Sequence, residues 1–262
     1  MASKKYAILT DIHGNLEALK TSLSIISQQS NVEKIIFLGD YFSLGPAPEE
    51  VFNILSNMST ETVFIRGNHE RYLLEKIWEN ENPKIEGMKS NDPVLNGIVS
   101  HQKWVYDQIG TKLLDFIEQR TKISHNEIIG SNYLEFSHAW FKRDEKVPSV
   151  DEASELSKKY LNQNEKIKKI TFVHGHIHLE RNEKHNKFSI YCPISTGLPF
   201  DKLTKGSIGY LEIDEDVSFR IKRFDYDMEK TISLLYKRKP PFYKNLIQTL
   251  KFAEIKNHQQ NK

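Results

Sequence analysis

Apolar positions in this chain come in short runs, and their spacing alternates between strand-like and helix-like. Tyr6–Thr10 is a continuous apolar run that predicts a buried strand, closed by a turn at Asp11–Gly14. Beyond it Leu16, Leu19, Leu23 and Ile26 recur at helical spacing, with Asn15 placed to cap the segment. Lys34–Leu38 is a second strand ending at Gly39-Asp40, followed by the loop Tyr41–Ala47. Pro48, Glu49 and Glu50 then open a helix, with proline and acids where a helix N-terminus favours them. Thr62–Arg66 is a third strand, ending at Gly67-Asn68-His69. This βαβαβ order predicts a parallel sheet with right-handed crossovers.

The rhythm changes in the remainder. Residues 70–119 read as mostly helical, an insertion between strands. Tyr133–Ser137 and Ile170–Val173 are further strands, ending at His138 and at His174-Gly175-His176. Between them Ser149 and Glu152 form a capping-box pair ahead of a polar helix. Phe188–Cys192, Gly209–Ile213 and Ser218–Phe224 read as short antiparallel strands, and helices near Asp227–Tyr236 and Phe242–Phe252 close the chain. Lys237-Arg238-Lys239 reads as a solvated turn rather than a phosphate clamp. No repeat or clear linker interrupts the pattern, so the expectation is one domain over residues 1–262 with the helical insertion around 70–119.

Composition narrows the classes. Of 262 residues, 38% are hydrophobic and 27% charged, an ordinary soluble balance with enough apolar residues for a sizeable core. A formal net charge of +2 implies no nucleic-acid or membrane partner. The single cysteine, Cys192, excludes an intramolecular disulfide and a thiolate-built metal site. The N-terminal run reads as a strand and not as a signal peptide, and no apolar stretch approaches the roughly 18 residues of a membrane span. A cytoplasmic enzyme or binding protein is expected.

The histidines carry more information than the charge. Of ten, six (His13, His69, His138, His174, His176 and His178) sit in or beside motifs at strand ends. The others, His101, His125, His185 and His258, lie in polar or helical contexts and read as surface residues. Five motifs follow five strands: Asp11-x-His13, Gly39-Asp40, Gly67-Asn68-His69, His138, and Gly175-His176-x-His178. Ligands gather at the carboxyl ends of strands in open α/β sheets, so all five can converge on one place. Carboxylates and imidazoles without thiolates suit manganese, iron, zinc or nickel better than calcium or magnesium. Seven candidate ligands exceed one tetrahedral ion and match two ions sharing a carboxylate.

This ordered set resembles the calcineurin-like metallophosphoesterase superfamily, and within it the small bacterial and archaeal phosphodiesterase-type enzymes. The resemblance runs through DIHGNLEAL (11–19), GDYFSLGPAPEEV (39–51), RGNHE (66–70), FVHGHIH (172–178), TGLP (196–199) and RFDYDMEKTI (223–232). It implies an α/β fold, an αββα sandwich of two mixed sheets flanked by helices. It implies that Asp11, His13 and His178 hold one divalent metal, that Asn68, His138 and His176 hold another, and that Asp40 bridges them. Manganese is the first candidate, with iron, nickel or zinc as alternatives. A metal-bridging hydroxide would attack phosphorus in line, and His69, binding neither metal, would when protonated give its proton to the leaving alkoxide. The implied substrate is a phosphorylated small molecule or nucleotide, either a phosphodiester or a phosphomonoester.

Departures leave alternatives open. Protein phosphatases of this superfamily read Gly-Asp-x-x-Asp-Arg-Gly at the second motif; here Ser43 and Leu44 replace the second Asp and the Arg. That weakens a Ser/Thr protein phosphatase reading, while a dinucleoside-polyphosphate or nucleotide hydrolase stands as an alternative. Retention of every ligand argues against a non-catalytic scaffold. Arg66 either reaches a phosphate or pairs with Glu70. Trp140 either lines the pocket or packs, and His174 either supports the last motif or is a packed strand-end residue.

Overall fold

The computed structural model describes residues 3–59 and 61–255. His258, read as a surface residue, and the first two residues of the N-terminal run lie outside the described residues. The first half follows the expected alternation. β1 (Lys4–Leu9) leads to α1 (Leu16–Ser27), whose first turn is capped where Asn15 Oδ1 accepts the Ala18 N–H at 3.2 Å. β2 (Lys34–Phe37), α2 (Pro48–Ser56) and β3 (Val63–Ile65) follow. Then come α3 (Asn68–Leu74), a 3₁₀ turn (Ile77–Glu79), an irregular stretch to residue 92, α4 (Pro93–Ile109) and α5 (Thr111–Arg120).

β4 (Thr121–Lys122), β5 (Ser124–Ile129) and β6 (Asn132–Ser137) precede α6 (Val150–Gln163), which opens on the expected Ser149–Glu152 capping box. β7 (Lys169–Val173), β8 (Glu180–Lys184), β9 (Phe188–Pro193), β10 (Gly206–Ile213) and β11 (Val217–Phe224) complete the strands, and α7 (Met228–Arg238) and α8 (Tyr243–Phe252) close the described chain.

Two mixed sheets result. One has the order β11-β10-β1-β2-β3-β4 and the other β5-β6-β7-β9-β8. β1, β2, β3 and β4 are mutually parallel, while β10 and β11 add antiparallel strands to the β1 edge. Phe188–Cys192 was expected in an antiparallel pairing; β9 instead runs parallel to β7 and is antiparallel only to the edge strand β8.

Period-two alternation explains the layering. Tyr6, Ile8, Ile36 and Leu38 face Leu134, Phe136, Val173 and Tyr191, forming the core between the sheets. Ala7, Leu9 and Phe37 point the other way, into a core completed by Leu19, Val51, Val105 and Ile117 from α1, α2, α4 and α5. Ala153 from α6 packs with Ile170, Phe172 and Ile190 on the outer face of the second sheet. The layers are therefore helix, sheet, sheet, helix, the αββα arrangement expected. Strands buried on both faces read as continuous apolar runs. α7 and α8 pack together around Leu235, Leu246 and Leu250 beside Leu198. Arg238 is not a solvated turn residue: its guanidinium donates to Glu50 and to the Pro46 carbonyl, tying α7 to α2. No helix among the described residues is long and apolar enough to cross a membrane.

Candidate metal centre

All five motifs leave their strands at the seam between the two sheets, and backbone bonds fix them there. Asp11 N–H donates to the Gly39 carbonyl at 3.0 Å and His13 N–H to the Asp40 carbonyl at 2.9 Å. Gly175 N–H donates to the His138 carbonyl at 2.7 Å, and Gly197 N–H to the Asp11 carbonyl at 3.1 Å. Asp11, His13, Asp40, His176 and His178 all have left-handed backbones, with φ of 52°, 49°, 57°, 70° and 55°. Non-glycine residues rarely adopt this region, and clusters of it mark sites where surrounding structure holds a strained geometry. The glycines answer to close approach. A Cβ on Gly67 would sit 2.1 Å from Asp40 Oδ1, and one on Gly175 would sit 1.9 Å from Thr10 Oγ1.

Glu70 joins the second and third motifs. Its carboxylate accepts the N–H groups of Asp40 at 2.7 Å, Tyr41 at 2.8 Å and Gly67 at 3.0 Å. Burial and the neighbouring Asp40 raise its pKa to about 7, against the pull of those three donors. Asp40 in turn accepts the His69 N–H on Oδ1 at 3.0 Å. Its Oδ2 lies 3.4 Å from His138 Nε2 and 3.8 Å from His13 Nε2. One buried carboxylate thus reaches both halves of the cluster.

Four histidines are oriented by backbone carbonyls. His13 Nδ1 meets the Ser43 carbonyl at 2.9 Å, His138 Nδ1 the Leu38 carbonyl at 2.6 Å, His178 Nδ1 the Leu198 carbonyl at 2.5 Å and His176 Nε2 the Glu145 carbonyl at 3.0 Å. A carbonyl only accepts, so each of those nitrogens carries a proton and the opposite nitrogen of a neutral ring offers a lone pair to the cluster. His13 Nε2 and His178 Nε2 face each other at 3.2 Å. Asp11 Oδ1, 3.3 Å from His178 Nε2, is buried and has no hydrogen-bond partner. On the other side His138 Nε2 and His176 Nδ1 lie 2.9 Å and 3.2 Å from Asn68 Oδ1. Buried acceptors that converge in this way need a cation between them. Ligand atoms of Asp11, His13 and His178, and those of Asp40, His138 and His176, lie within 4.8 Å of one another. These groups could hold metal ions, and Asn68 Oδ1 lies beside the second of them.

Electrostatics agree. Burial alone would raise both carboxyl pKa values, but His138 and His69 hold Asp40 well below the usual carboxylate range, and His178 holds Asp11 at about 2. Burial would depress His138, yet the adjacent Asp40 outweighs it and lifts the imidazole to about 10. Burial and the nearby His178 push His13 down to about 4. The carboxylates of the cluster are held ionised, and Asp40 favours the charged form of the adjacent His138.

His69 is also buried beside these groups. A third triad, His13, Asp40 and His69, comes within the same 4.8 Å. Its Nδ1 meets Gln102 Nε2 at 2.5 Å, and Gln102 Oε1 accepts the Ser43 hydroxyl at 2.7 Å. Ser43, read as a lost orienting aspartate, thus acts through Gln102. Nothing in the sequence marks Gln102, which lies inside α4. With Gln102 donating to Nδ1, Nε2 is the nitrogen left for the cluster. Burial pushes the ring's pKa down to about 3, with Asp40 pulling the other way.

Other expectations turn out differently. Arg66 donates to Thr121 Oγ1 at 3.1 Å and the Ile117 carbonyl at 3.2 Å, so the structure brings it neither to the cluster nor to Glu70. Trp140 packs on Phe141 and Phe172 in the core under α6. His174 is buried, with Nδ1 on the Gly175 carbonyl at 2.9 Å, and joins no ligand group. His101 is not a surface residue: it is fully buried, and its Nδ1 accepts the Leu44 N–H. His185 is exposed beside Phe188, as expected, and His125 is part-exposed on β5 beside Glu127.

Comparison with known proteins gives concordant matches. A sequence model of the calcineurin-like phosphoesterases matches residues 4–197. An uncharacterized protein of Methanocaldococcus jannaschii is 27% identical over 256 residues, 92% of this chain and 96% of that protein. The symmetrical bis(5′-nucleosyl)-tetraphosphatase of Pseudomonas putida is 26% identical over 120 residues, 46% of this chain and 38% of that enzyme. Among solved structures, a hypothetical protein from Pyrococcus horikoshii superposes with a TM-score of 0.75 at 17% identity, covering 94% of this chain and 97% of its own. A metallophosphoesterase from Sphaerobacter thermophilus gives 0.67 at 18% identity, covering 95% and 99%.

Proposed function

Because the chain belongs to the calcineurin-like phosphoesterase family and is a phosphoester hydrolase, we propose that it works with two divalent transition-metal ions on a small phosphodiester or phosphomonoester. The observation that carries the two-metal reading is the convergence of buried acceptors around Asp40, fixed by histidines whose opposite nitrogens are committed to carbonyls. Asp11, His13 and His178 would hold one ion, Asn68, His138 and His176 the other, and Asp40 would contact both. Manganese is the first candidate; the imidazole-rich, thiolate-free set accommodates iron, nickel and zinc as well. When bound, such ions supply Lewis-acid charge for the phosphoryl oxygens and activate the attacking water.

The chain's own residues supply position and a proton. Glu70 clamps the backbones of Asp40 and Gly67, so the second and third motifs move as one unit. His69, turned by Gln102, points its ring at the cluster, where its protonated, imidazolium form would pass a proton to the leaving alkoxide and return to neutral imidazole. Gln102 is a positioning residue: it holds the ring through Nδ1 and leaves Nε2 facing the cluster.

The test is metal-dependent turnover. Protein stripped with a chelator and dialysed should leave bis-p-nitrophenyl phosphate and p-nitrophenyl phosphate intact, and Mn²⁺ should restore hydrolysis of at least one. Undiminished hydrolysis by verified metal-free protein, or none with Mn²⁺, Ni²⁺, Fe²⁺ or Zn²⁺, would sink the proposal.

A further inference from the structure

The cluster opens into a chamber of about 330 Å³ whose lining is unlike that of a polyanion site. Its floor is made by His13, Asp40, Asn68, His69, His176 and His178. The walls are mostly apolar. Val94 and Ile98 come from α4, Leu246 from α8, Ile85 and Met88 from the irregular stretch before α4, and Phe200 lies flat on the His178 ring at 4.2 Å between centroids. Leu44, where the related protein phosphatases carry an arginine, also lines it. Among the described residues no lysine or arginine does. The charged groups beyond the floor are acidic, Glu86 and Glu145, and Asn245 and Thr249 are polar but uncharged.

These facts separate substrate classes. Two divalent ions can neutralise one phosphoryl group. A polyphosphate chain would bring further negative charges next to Glu86 and Glu145, where the one adjoining guanidinium, Arg71, is already committed to Asp144, Glu145 and Glu75, and the described lining offers no other cation. An alkyl or aryl group would instead cover the part-exposed Met88 and Val94 and extend the apolar surface they share with Ile98 and Leu246. We infer that the substrate is an ester of a single phosphoryl group with an apolar alcohol or phenol, whose hydrocarbon part fills the chamber between α4, α8 and residues 85–88, and is not a nucleoside polyphosphate. This rests on the phosphoesterase reading and narrows its substrate.

Binding of n-alkylphosphonates, methyl to hexyl, to the Mn²⁺-loaded protein by calorimetry tests it. Kd should fall about three- to fourfold per methylene, the increment for burying a CH₂ group. A non-hydrolysable ATP analogue with a β,γ-methylene bridge should bind no tighter than methylphosphonate. Met88→Lys and Val94→Lys, at part-exposed wall positions, should flatten the series while metal content stays unchanged; two sites guard against one variant misfolding. A Kd independent of chain length in the unaltered protein, or tighter binding of the triphosphate analogue than of hexylphosphonate, overturns the inference. Turnover of bis-p-nitrophenyl phosphate by the same preparation keeps the two readings apart. Turnover with a flat series leaves the phosphoesterase and removes the apolar substrate, and a steep series without turnover does the reverse.

Discussion

Asp40→Asn should remove both metal ions from the protein and lower kcat/KM about a thousandfold or more, the scale on which loss of central electrostatic stabilisation is felt. Asparagine preserves the shape and can still accept the His69 N–H, so the fold should persist. What disappears is the negative charge. Asp40 Oδ2 stands 3.4 Å from His138 Nε2 and 3.8 Å from His13 Nε2, one from each proposed half-site. Both halves therefore lose the same counter-charge at once. Asp11→Asn should differ, because Asp11 belongs to the group with His13 and His178 and should weaken mainly that position. Metal analysis after dialysis against a weak chelator distinguishes them. Full retention of one ion by the Asp40→Asn protein would show that Asp40 does not bridge.

His69→Asn should leave both metals bound and lower kcat by roughly 10²–10⁴-fold for alkyl esters, the range for a lost general acid. For p-nitrophenyl esters, whose leaving group departs without a proton, the loss should shrink to a small factor. Gln102→Leu should show the same leaving-group dependence in weaker form, since it releases the ring that His69 needs held. A residue that only supported the fold would slow both substrate types equally. Metal content decides the competing role. His69 lies within ligand reach of His13 and Asp40, and if its replacement strips an ion, His69 is a ligand and not the proton donor.

The parts of the fold legible in the sequence were those where burial acts on both faces of a strand. β1, β2 and β7 read as mainly apolar runs because the two sheets press on one side and helices on the other. The strands that escaped sit at or near sheet edges. β8, Glu180–Lys184, contains no apolar residue and is exposed on alternate positions, and β5 carries Ser124, His125, Asn126 and Glu127. β4 has two residues and exists through its pairing with β3. The direction of β9 depends on where the chain crosses over, which local pattern does not encode.

The site divides similarly. Ligand types and their order at strand ends lie in local motifs, whereas Gln102 and the carbonyls of Ser43, Leu38, Leu198 and Glu145 reach the cluster only through packing. His101 shows the same limit from the other side. Its neighbours in sequence are polar, and it is buried because α4 lies against the loop after β2, with Leu44 as its partner.

Phosphoester hydrolysis by this chain should depend on two metal positions within one cluster. Titrating stripped protein with Mn²⁺ while following bis-p-nitrophenyl phosphate hydrolysis tests it most directly. Activity should stay low through the first equivalent, climb to a break at two per chain, and hold level beyond. A break at one equivalent, or hydrolysis already complete without added metal, would contradict it.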